Sequence, residues 1–264
     1  MSYKQRENFL GFATEIVEAA GRIALQYFRS PIEVDSKTGK ANFDPVTAAD
    51  REIEAFIRTK ITEVYPGHSI IGEEQEDSQG SEDFKWIIDP IDGTRAFISG
   101  SPMWGILLGL MEGDKPVLGL MHQPYLQETF VGSRAGAFIR KSATDQSINT
   151  RSTSELTDAT LYCTHPSMFS SEDDLKTFND VAANCQLMRF GGDCYAYCML
   201  AHGLIDLVIE GGLQPYDIIP LIPIIEAAGG IVTNWQGGSA LSGGNIIAAA
   251  NAGLHEKAMM LLAG

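Results

Sequence analysis

The chain has 264 residues, enough for one or two domains with a sizeable core, and its 44% hydrophobic and 20% charged residues match an ordinary globular protein. Its 19 Lys and Arg against 34 Asp and Glu give a formal net charge of −15, so the protein repels polyanions and nucleic-acid binding is not expected. An acidic protein that binds an anionic small molecule needs cations in its site, and divalent metal ions are one way to supply them.

The cysteines and the apolar runs exclude further classes. The cysteines form no CxxC pair, so neither a zinc knuckle nor a disulfide framework is supported. We expect reduced, buried thiols at Cys163, Cys185, Cys194 and Cys198. The apolar runs near 105–111 and 218–225 are too short to span a membrane, and residues 1–8 lack the pattern of a leader segment. We therefore expect a cytoplasmic protein with no membrane partner.

Two helices are predicted near the start of the chain. Apolar residues at helical spacing predict the first over 7–27. A second apolar periodicity begins at Thr47, just after Asp44-Pro45, and ends at Pro66-Gly67. Between the two helices, the glycine and charged residues of segment 30–42 permit it to move as a lid.

The rest of the chain predicts a mixture of strands and helices. Strands are predicted at 69–72, 84–88, 105–110, 116–122, 129–131, 137–140 and 160–164, and further helices at 171–183, 194–202 and 221–228. The short Gly- and Pro-containing breaks after residue 105 favour an antiparallel meander, and so an α+β fold. We place a soft subdomain boundary within 141–160. It divides the chain into 1–145 and 146–264, within a single compact catalytic unit.

Four acidic clusters follow the ends of apolar elements, beside residues typical of tight turns. They are 44–50, 72–74, 89–94 and 215–217. Clustered carboxylates repel one another and raise one another's pKa when they lie unpaired in a cleft. A divalent cation removes this penalty, and Mg²⁺ prefers oxygen ligands.

Taken singly, each cluster also has a purely structural interpretation. Thr47 and Asp50 fit a capping box ahead of an apolar run. The Glu73-Glu74 pair fits a solvated loop, and Asp92-Gly93 fits a turn. Asp217 fits a helix N-cap.

The third cluster carries the most chemistry. A predicted buried strand leads directly into Asp89, and Asp92 precedes Gly93-Thr94 at a predicted helix start. This order places two carboxylates and the Ile91 carbonyl on one side of a loop. The amides of Gly93 and Thr94 then face an anion. A metal ion and a phosphate would fit there side by side.

Three motifs in this order resemble the inositol monophosphatase superfamily of magnesium-dependent, lithium-sensitive phosphatases. They are Gly72-Glu73-Glu74, the string Asp89-Pro90-Ile91-Asp92-Gly93-Thr94, and Asp217 followed by Ala227-Ala228-Gly229-Gly230. The resemblance covers nearly the whole chain, and the six-residue string is its most specific part. It implies a layered α/β/α/β/α sandwich, two or three Mg²⁺ ions and a homodimer.

The resemblance also implies roles for individual residues. The implied metal ligands are Glu73, Asp89, the Ile91 carbonyl, Asp92 and Asp217. Thr94 and Glu73 would orient the attacking water, with Asp44 and Thr47 as support near the site. The Gly93 and Thr94 amides would bind phosphate.

The segment 191–217 departs from the usual family pattern. The family commonly has Gly-Thr-Ala before a helix and Trp-Asp at the last metal ligand, whereas this chain has Gly191-Gly192-Asp193 and Tyr216-Asp217. We expect the additional carboxylate of Asp193 to lie near Glu210, which corresponds to a family residue that contacts the organic half of the substrate. The candidate substrate-binding residues are therefore Gly191, Gly192, Asp193 and Glu210.

Two carboxylates suit a cationic group better than a neutral polyol. The segments 94–100, 191–197 and 212–217 are also similar to the histidinol-phosphate phosphatase branch of the superfamily. Two alternatives stay open here. Asp193 fits the N-cap of the helix predicted at 194–202 equally well, and Arg95 fits either a phosphate-side cation or, as we favour, a surface residue.

The expected function is metal-dependent hydrolysis of a small phosphate monoester. Histidinol phosphate carries an amine and an imidazole and is the first expected substrate. Inositol monophosphate is the alternative. From another class, a catalytically silent metal-binding or regulatory module on the same fold would also carry these carboxylates.

Overall fold

The computed structural model describes residues 3–31, 34–36, 45–142 and 144–263. In these ranges the α-helices are α1 (Tyr3–Tyr27), α2 (Ala48–Val64), α3 (Thr94–Ile98), α4 (Glu172–Ala182), α5 (Asp193–Ala201), α6 (Pro215–Ile218), α7 (Ile222–Ala227) and α8 (Ala252–Leu262). The strands are β1 (Val34–Ser36), β2 (Pro45–Thr47), β3 (Ser69–Gly72), β4 (Phe84–Asp92), β5 (Gly105–Glu112), β6 (Lys115–Gln123), β7 (Glu128–Ser133), β8 (Gly136–Lys141), β9 (Thr144–Ser147), β10 (Thr160–Cys163), β11 (Leu187–Phe190), β12 (Leu207–Leu213), β13 (Ile231–Asn234) and β14 (Gly244–Ala249).

Two mixed sheets form the framework. The larger has the strand order β3-β4-β5-β6-β7-β8-β9, in which β3 is parallel to β4 and every later pair is antiparallel. The smaller has the order β11-β10-β12-β14-β13, with β10 parallel to β11 and β12 and the other pairs antiparallel. The predicted antiparallel meander is confirmed.

Helices cover both faces of each sheet. Helices α1 and α2 pack on the outer face of the larger sheet. Helices α5 and α7 lie between the sheets, and α4 and α8 cover the outer face of the smaller one. The result is the expected α+β fold with α/β/α/β/α layers. Because both faces are covered, a strand such as β5 is buried along nearly its whole length.

The first two helices follow the apolar pattern of the sequence. Helix α1 buries Phe9, Ala13 and Ile16 at helical spacing and starts four residues before the predicted position. Helix α2 begins in a capping box, in which the Thr47 hydroxyl accepts the Ala49 N–H (3.1 Å) and the Thr47 N–H donates to Asp50 Oδ2 (2.8 Å). The structural interpretation of Thr47 and Asp50 is therefore confirmed. Most of segment 30–42 lies outside the described residues.

Several elements were not predicted. Strands β9 and β11 are short and consist entirely of exposed residues. Strands β12, β13 and β14 and helix α8 were also not predicted. The predicted boundary between residues 145 and 146 runs through β9, which pairs with β8 up to Ser147.

The four cysteines are free, three of them buried and Cys185 half-buried. In the described part of the chain, no helix has the length and apolar character needed to cross a membrane.

A row of three glycines sets the distance between the layers. Gly109 on β5 pairs with Gly119 on β6, which pairs with Gly132 on β7, so the three share one face of the larger sheet. The chain from Pro220 to Ile224 lies directly on this row. A Cβ at Gly119 would overlap the Pro220 carbonyl oxygen, and a Cβ at Gly132 would overlap the backbone of Ile224. Gly119 and Gly132 therefore admit no larger residue without movement of the backbone.

Substituting Gly119→Ala should lower the free energy of unfolding by about 3 kcal/mol, because the added methyl group meets a backbone carbonyl rather than a flexible side chain. Urea denaturation followed by circular dichroism measures this. Gly11→Ala is the matched control, since a Cβ at Gly11 meets nothing within 4 Å and a helical alanine stabilises by about 0.5–1 kcal/mol. Equal stability of the two variants would contradict the close packing described here.

Candidate active site

Four carboxylates from three parts of the chain meet at one end of the larger sheet. Asp89 and Asp92 lie at the end of β4, and Asp217 lies in α6. One carboxylate oxygen of each lies within 4.8 Å of the others. Glu73 follows the parallel neighbour β3, and its carboxyl group is hydrogen-bonded to that of Asp89. The structure thus brings together the side chains that the resemblance implied as ligands.

An irregularity in β4 turns Asp89 and Asp92 to the same side. In a regular strand, residues three apart point to opposite faces. Here Asp89 pairs with Leu107 whereas Asp92 pairs with Gly105, so β4 contains one extra residue. The Ile91 N–H donates to Asp89 Oδ1 (3.1 Å).

Gly93 then turns the chain out of β4 and into α3. It has φ +84°, a left-handed conformation that glycine adopts without steric cost. The Thr94 hydroxyl donates to the Ile91 carbonyl (3.1 Å). The turn predicted at Asp92-Gly93 is therefore present, and it serves to present these groups.

A buried ion pair on α2 holds the loop that carries Glu73. The Glu54 carboxylate is 0% exposed. It accepts the N–H groups of Glu74 (2.7 Å) and Gln75 (3.1 Å) and the Arg58 Nε–H (2.7 Å). Arg58 also donates to the Gln75 carbonyl (3.1 Å). The Glu73-Glu74 pair is therefore part of a fixed loop and not a freely solvated one. Nothing in the sequence distinguished Glu54 from an exposed helical acid.

Asp217 is fixed by its own helix. It is the third residue of α6, and its Oδ2 accepts the Gln214 N–H (2.7 Å). The N-cap position of α6 belongs to Gln214, so the N-cap interpretation of Asp217 was wrong by three residues. Asp217 still offers a carboxylate oxygen to the cluster.

The electrostatics of the cluster favour a bound cation. Burial raises the pKa of Asp89 well above its usual range, and the charges of Glu73, Asp92 and Asp217 raise it further. Burial, together with the charge of Asp193, raises the pKa of Asp92 to about 8. A divalent cation would offset this repulsion, and a donor set made only of oxygen atoms suits a hard ion such as Mg²⁺. The residues present therefore fit the implied metal.

A cavity of about 200 Å³ opens beside the cluster. The predicted site residues that line it are Glu73, Asp89, Ile91, Asp92, Gly93, Thr94, Asp193, Glu210 and Asp217. Arg95 is exposed, as expected, and also contributes to the lining. Asp44 lies outside the described residues. Thr47 is buried in the cap of α2 and is not among the lining residues.

The start of α5 forms one wall of this cavity. Asp193 is the first residue of α5 and the N-cap is Gly192, so the N-cap interpretation of Asp193 was wrong. Its side chain is available to the cavity instead. The Cys194 N–H donates to Asp92 Oδ1 (2.8 Å). Gly191 and Gly192 form the preceding turn and are not among the lining residues.

Two further carboxylates, those of Asp193 and Glu210, line the same cavity. Glu210 on β12 is buried and accepts the Thr164 N–H (2.8 Å) and the Tyr197 hydroxyl (3.0 Å). Burial, and then the charge of Glu210, raises the pKa of Asp193 to about 7, and the charge of Arg95 opposes this shift. Asp193 therefore lies close to Glu210, as expected. Thr164, which also lines the cavity, was not predicted.

Comparison with known proteins agrees with this geometry. The model of the inositol monophosphatase family matches residues 5–263. A bifunctional phosphatase named IMPL2, chloroplastic, from Arabidopsis thaliana is 36% identical, covering 98% of this chain and 76% of its own length. A histidinol-phosphatase from Chlorobaculum parvum is 34% identical over 92% of each chain. The solved structure of an inositol monophosphatase from Zymomonas mobilis superimposes with a TM-score of 0.87, at 36% identity over the full length of both chains.

The fold and the acidic site define a phosphoric monoester hydrolase. The chain belongs to the inositol monophosphatase family. Members of this family depend on metal ions, and the cluster of Asp89, Asp92 and Asp217 is one that could bind a metal.

Replacing Glu54→Gln should weaken Mg²⁺ binding by about 10- to 100-fold, because groups that orient a ligand typically contribute that much. The neutral amide holds the Glu73 loop less firmly and leaves Arg58 without its buried counter-charge. Isothermal titration calorimetry with MgCl₂ and the Mg²⁺ dependence of phosphate release both measure the effect.

Glu63→Gln on the same helix is the control for Glu54→Gln, since Glu63 is exposed and forms a surface ion pair with Lys60. Its Mg²⁺ affinity should equal that of the wild type. An unchanged affinity in a folded Glu54→Gln protein would show that the ion pair does not position Glu73.

Proposed function

We propose that this protein is a Mg²⁺-dependent histidinol-phosphate phosphatase, which converts L-histidinol phosphate and water into L-histidinol and phosphate. The observation that carries the proposal is the pair Asp193 and Glu210, which faces the same cavity as the acidic cluster. The relative named histidinol-phosphatase supports it.

The proposed metal site uses the groups that converge at the end of β4. Glu73, Asp89, the Ile91 carbonyl, Asp92 and Asp217 would hold two or three Mg²⁺ ions. When bound, Mg²⁺ supplies a Lewis acid that neutralises phosphate charge and lowers the pKa of water. The protein's own part is to fix these oxygen atoms through the β4 irregularity, the α6 cap and the Glu54 anchor.

The proposed reaction is a direct attack of water on the phosphorus atom, with no covalent nucleophile. Thr94 and Glu73 orient the water, and the Glu73 carboxylate accepts a proton from it. The bond between phosphorus and the ester oxygen breaks, and the leaving alkoxide takes up a proton from solvent to give the alcohol. The Gly93 and Thr94 amides bind the phosphate oxygens. Phosphate-monoester hydrolysis is extremely slow without a catalyst, so this positioning contributes to an acceleration that reaches roughly 10²¹-fold at the extreme.

The other end of the substrate gives the specificity. An ammonium group between Asp193 and Glu210 would offset the repulsion of two half-buried or buried carboxylates and make charge-assisted hydrogen bonds. A neutral polyol would leave that repulsion in place. The site therefore favours an ester with a cationic organic half.

We expect kcat/KM for L-histidinol phosphate to exceed that for inositol 1-phosphate by at least about tenfold, a difference of about 1.4 kcal/mol. Phosphate release at equal Mg²⁺ concentration measures both.

Asp92→Asn should lower kcat by more than about 100-fold with folding intact, since it removes one charged ligand. Asp173→Asn, on the exposed start of α4, should leave activity unchanged.

Other outcomes of this assay select the other candidates. A preference for inositol 1-phosphate would favour an inositol monophosphatase, which is the name of the Zymomonas mobilis structure. Equal activity of Asp92→Asn and the wild type would contradict the catalytic assignment. Inertness of both towards a broad panel of phosphate esters would favour the silent metal-binding module.

We also propose that the protein is a homodimer that pairs through β11. This strand is the edge of the smaller sheet, and its Leu187, Met188 and Phe190 are 48%, 37% and 42% exposed. An exposed apolar edge strand is a template for pairing with another chain. Lithium sensitivity, the cytoplasmic location and the lack of nucleic-acid partners stay predictions.

Sedimentation should give twice the mass of one chain for the wild type, and Phe190→Asp should shift it to the monomer, because a buried unpaired charge opposes the interface. Val64→Asp is the control, since Val64 is also an exposed apolar residue but lies at the end of α2. A monomeric wild type, or a dimeric Phe190→Asp, would contradict this interface.

A further inference from the structure

Thr164 contacts both residues that carry the proposed cation-binding carboxylates. It follows β10 directly and lines the cavity. Its backbone N–H donates to Glu210 Oε1 (2.8 Å), and its hydroxyl oxygen accepts the Asp193 N–H (2.9 Å). A single residue thus fixes the two acids relative to each other, through two different atoms.

Asp193 needs such a contact because its backbone is strained. Its φ of +43° lies in the left-handed region, where the Cβ of an L-residue crowds the backbone. The preceding turn is tied to the same strand end, because the Gly191 N–H lies 3.2 Å from the Cys163 carbonyl and 3.0 Å from the Thr164 carbonyl. The Thr164 hydroxyl is the side-chain group that completes this attachment.

Glu210 does not depend on the hydroxyl. Its two carboxylate oxygens accept from the Thr164 backbone N–H and from the Tyr197 hydroxyl, and the residue is 2% exposed. A change confined to the Thr164 side chain therefore releases the Asp193 backbone and leaves the contacts of Glu210 in place.

We propose that the Thr164 hydroxyl is a specificity-determining positioning group. It holds Asp193 in its left-handed conformation, so that the Asp193 carboxylate faces Glu210 across the cavity and the pair accepts an ammonium group of the substrate. This inference rests on the proposed function. Thr164 acts through Asp193 and is therefore a positioning residue.

The test compares Thr164→Val, which keeps the shape and removes the acceptor, with Thr164→Ser, which keeps the hydroxyl. KM and kcat are measured for L-histidinol phosphate and for inositol 1-phosphate at saturating Mg²⁺. Thr164→Val should raise KM for L-histidinol phosphate up to about tenfold, since a lost hydrogen bond contributes about 0.5–1.5 kcal/mol. Its kcat, and both constants for inositol 1-phosphate, should stay within about twofold, and Thr164→Ser should restore the wild-type KM.

A double-mutant cycle shows whether the effect passes through Asp193. In an Asp193→Asn background, adding Thr164→Val should change KM for L-histidinol phosphate little further, because coupled residues are not additive. Thermal unfolding confirms that each variant is folded, and Thr164→Ala replaces Thr164→Val if the latter does not fold.

Each remaining outcome has one meaning. An equal loss with both substrates, an additive double mutant, or no rescue by Thr164→Ser would overturn the inference and leave a general structural role. A wild type that prefers L-histidinol phosphate with a KM unaffected by Thr164→Val would overturn this inference alone. A wild type that prefers inositol 1-phosphate would overturn the proposed function and the inference with it.

Discussion

The contact between the chain at Pro220–Ile224 and the glycine row of the larger sheet is the constraint on which the site depends. Because Gly109, Gly119 and Gly132 carry no side chains, backbone packs on backbone at this point. Asp217 lies three residues before Pro220, so this contact determines where its carboxylate meets Asp89 and Asp92. The packing of the layers and the geometry of the acidic cluster therefore depend on the same few residues.

The carboxylates that this packing brings together repel one another. The protein limits this cost with backbone N–H donors. Cys194 donates to Asp92, Gln214 to Asp217 and Ile91 to Asp89. Each contact favours the charged carboxylate and fixes its direction. Glu54 acts one step further away, because it holds the loop and not the side chain of Glu73.

The sequence was most informative where the residues that form the site are close together in the chain. The Asp89–Thr94 string predicted the strand end, the turn and the converging carboxylates, because the constraint lies within six residues. The sequence did not distinguish two neighbouring positions at a helix start. Asp193 fitted the N-cap of α5, whereas the structure places it as the first residue of that helix. Glu54 and Thr164 gave no signal, since their roles come from contacts with residues far along the chain. Strand β12 was not predicted, because its buried Glu210 interrupts an otherwise apolar run.

The distribution of the acidic residues of the site along the chain has a consequence for how the protein is made. Glu73, Asp89 and Asp92 leave the ribosome well before Asp193, Glu210 and Asp217. At about 5–20 residues per second, translation reaches Asp217 roughly 6 to 25 seconds after Asp92. Throughout that interval a nascent chain carries an incomplete set of acids. The cluster of Asp89, Asp92 and Asp217 can assemble only after residue 217 has been synthesised, so a chain that terminates upstream of codon 217 lacks part of it.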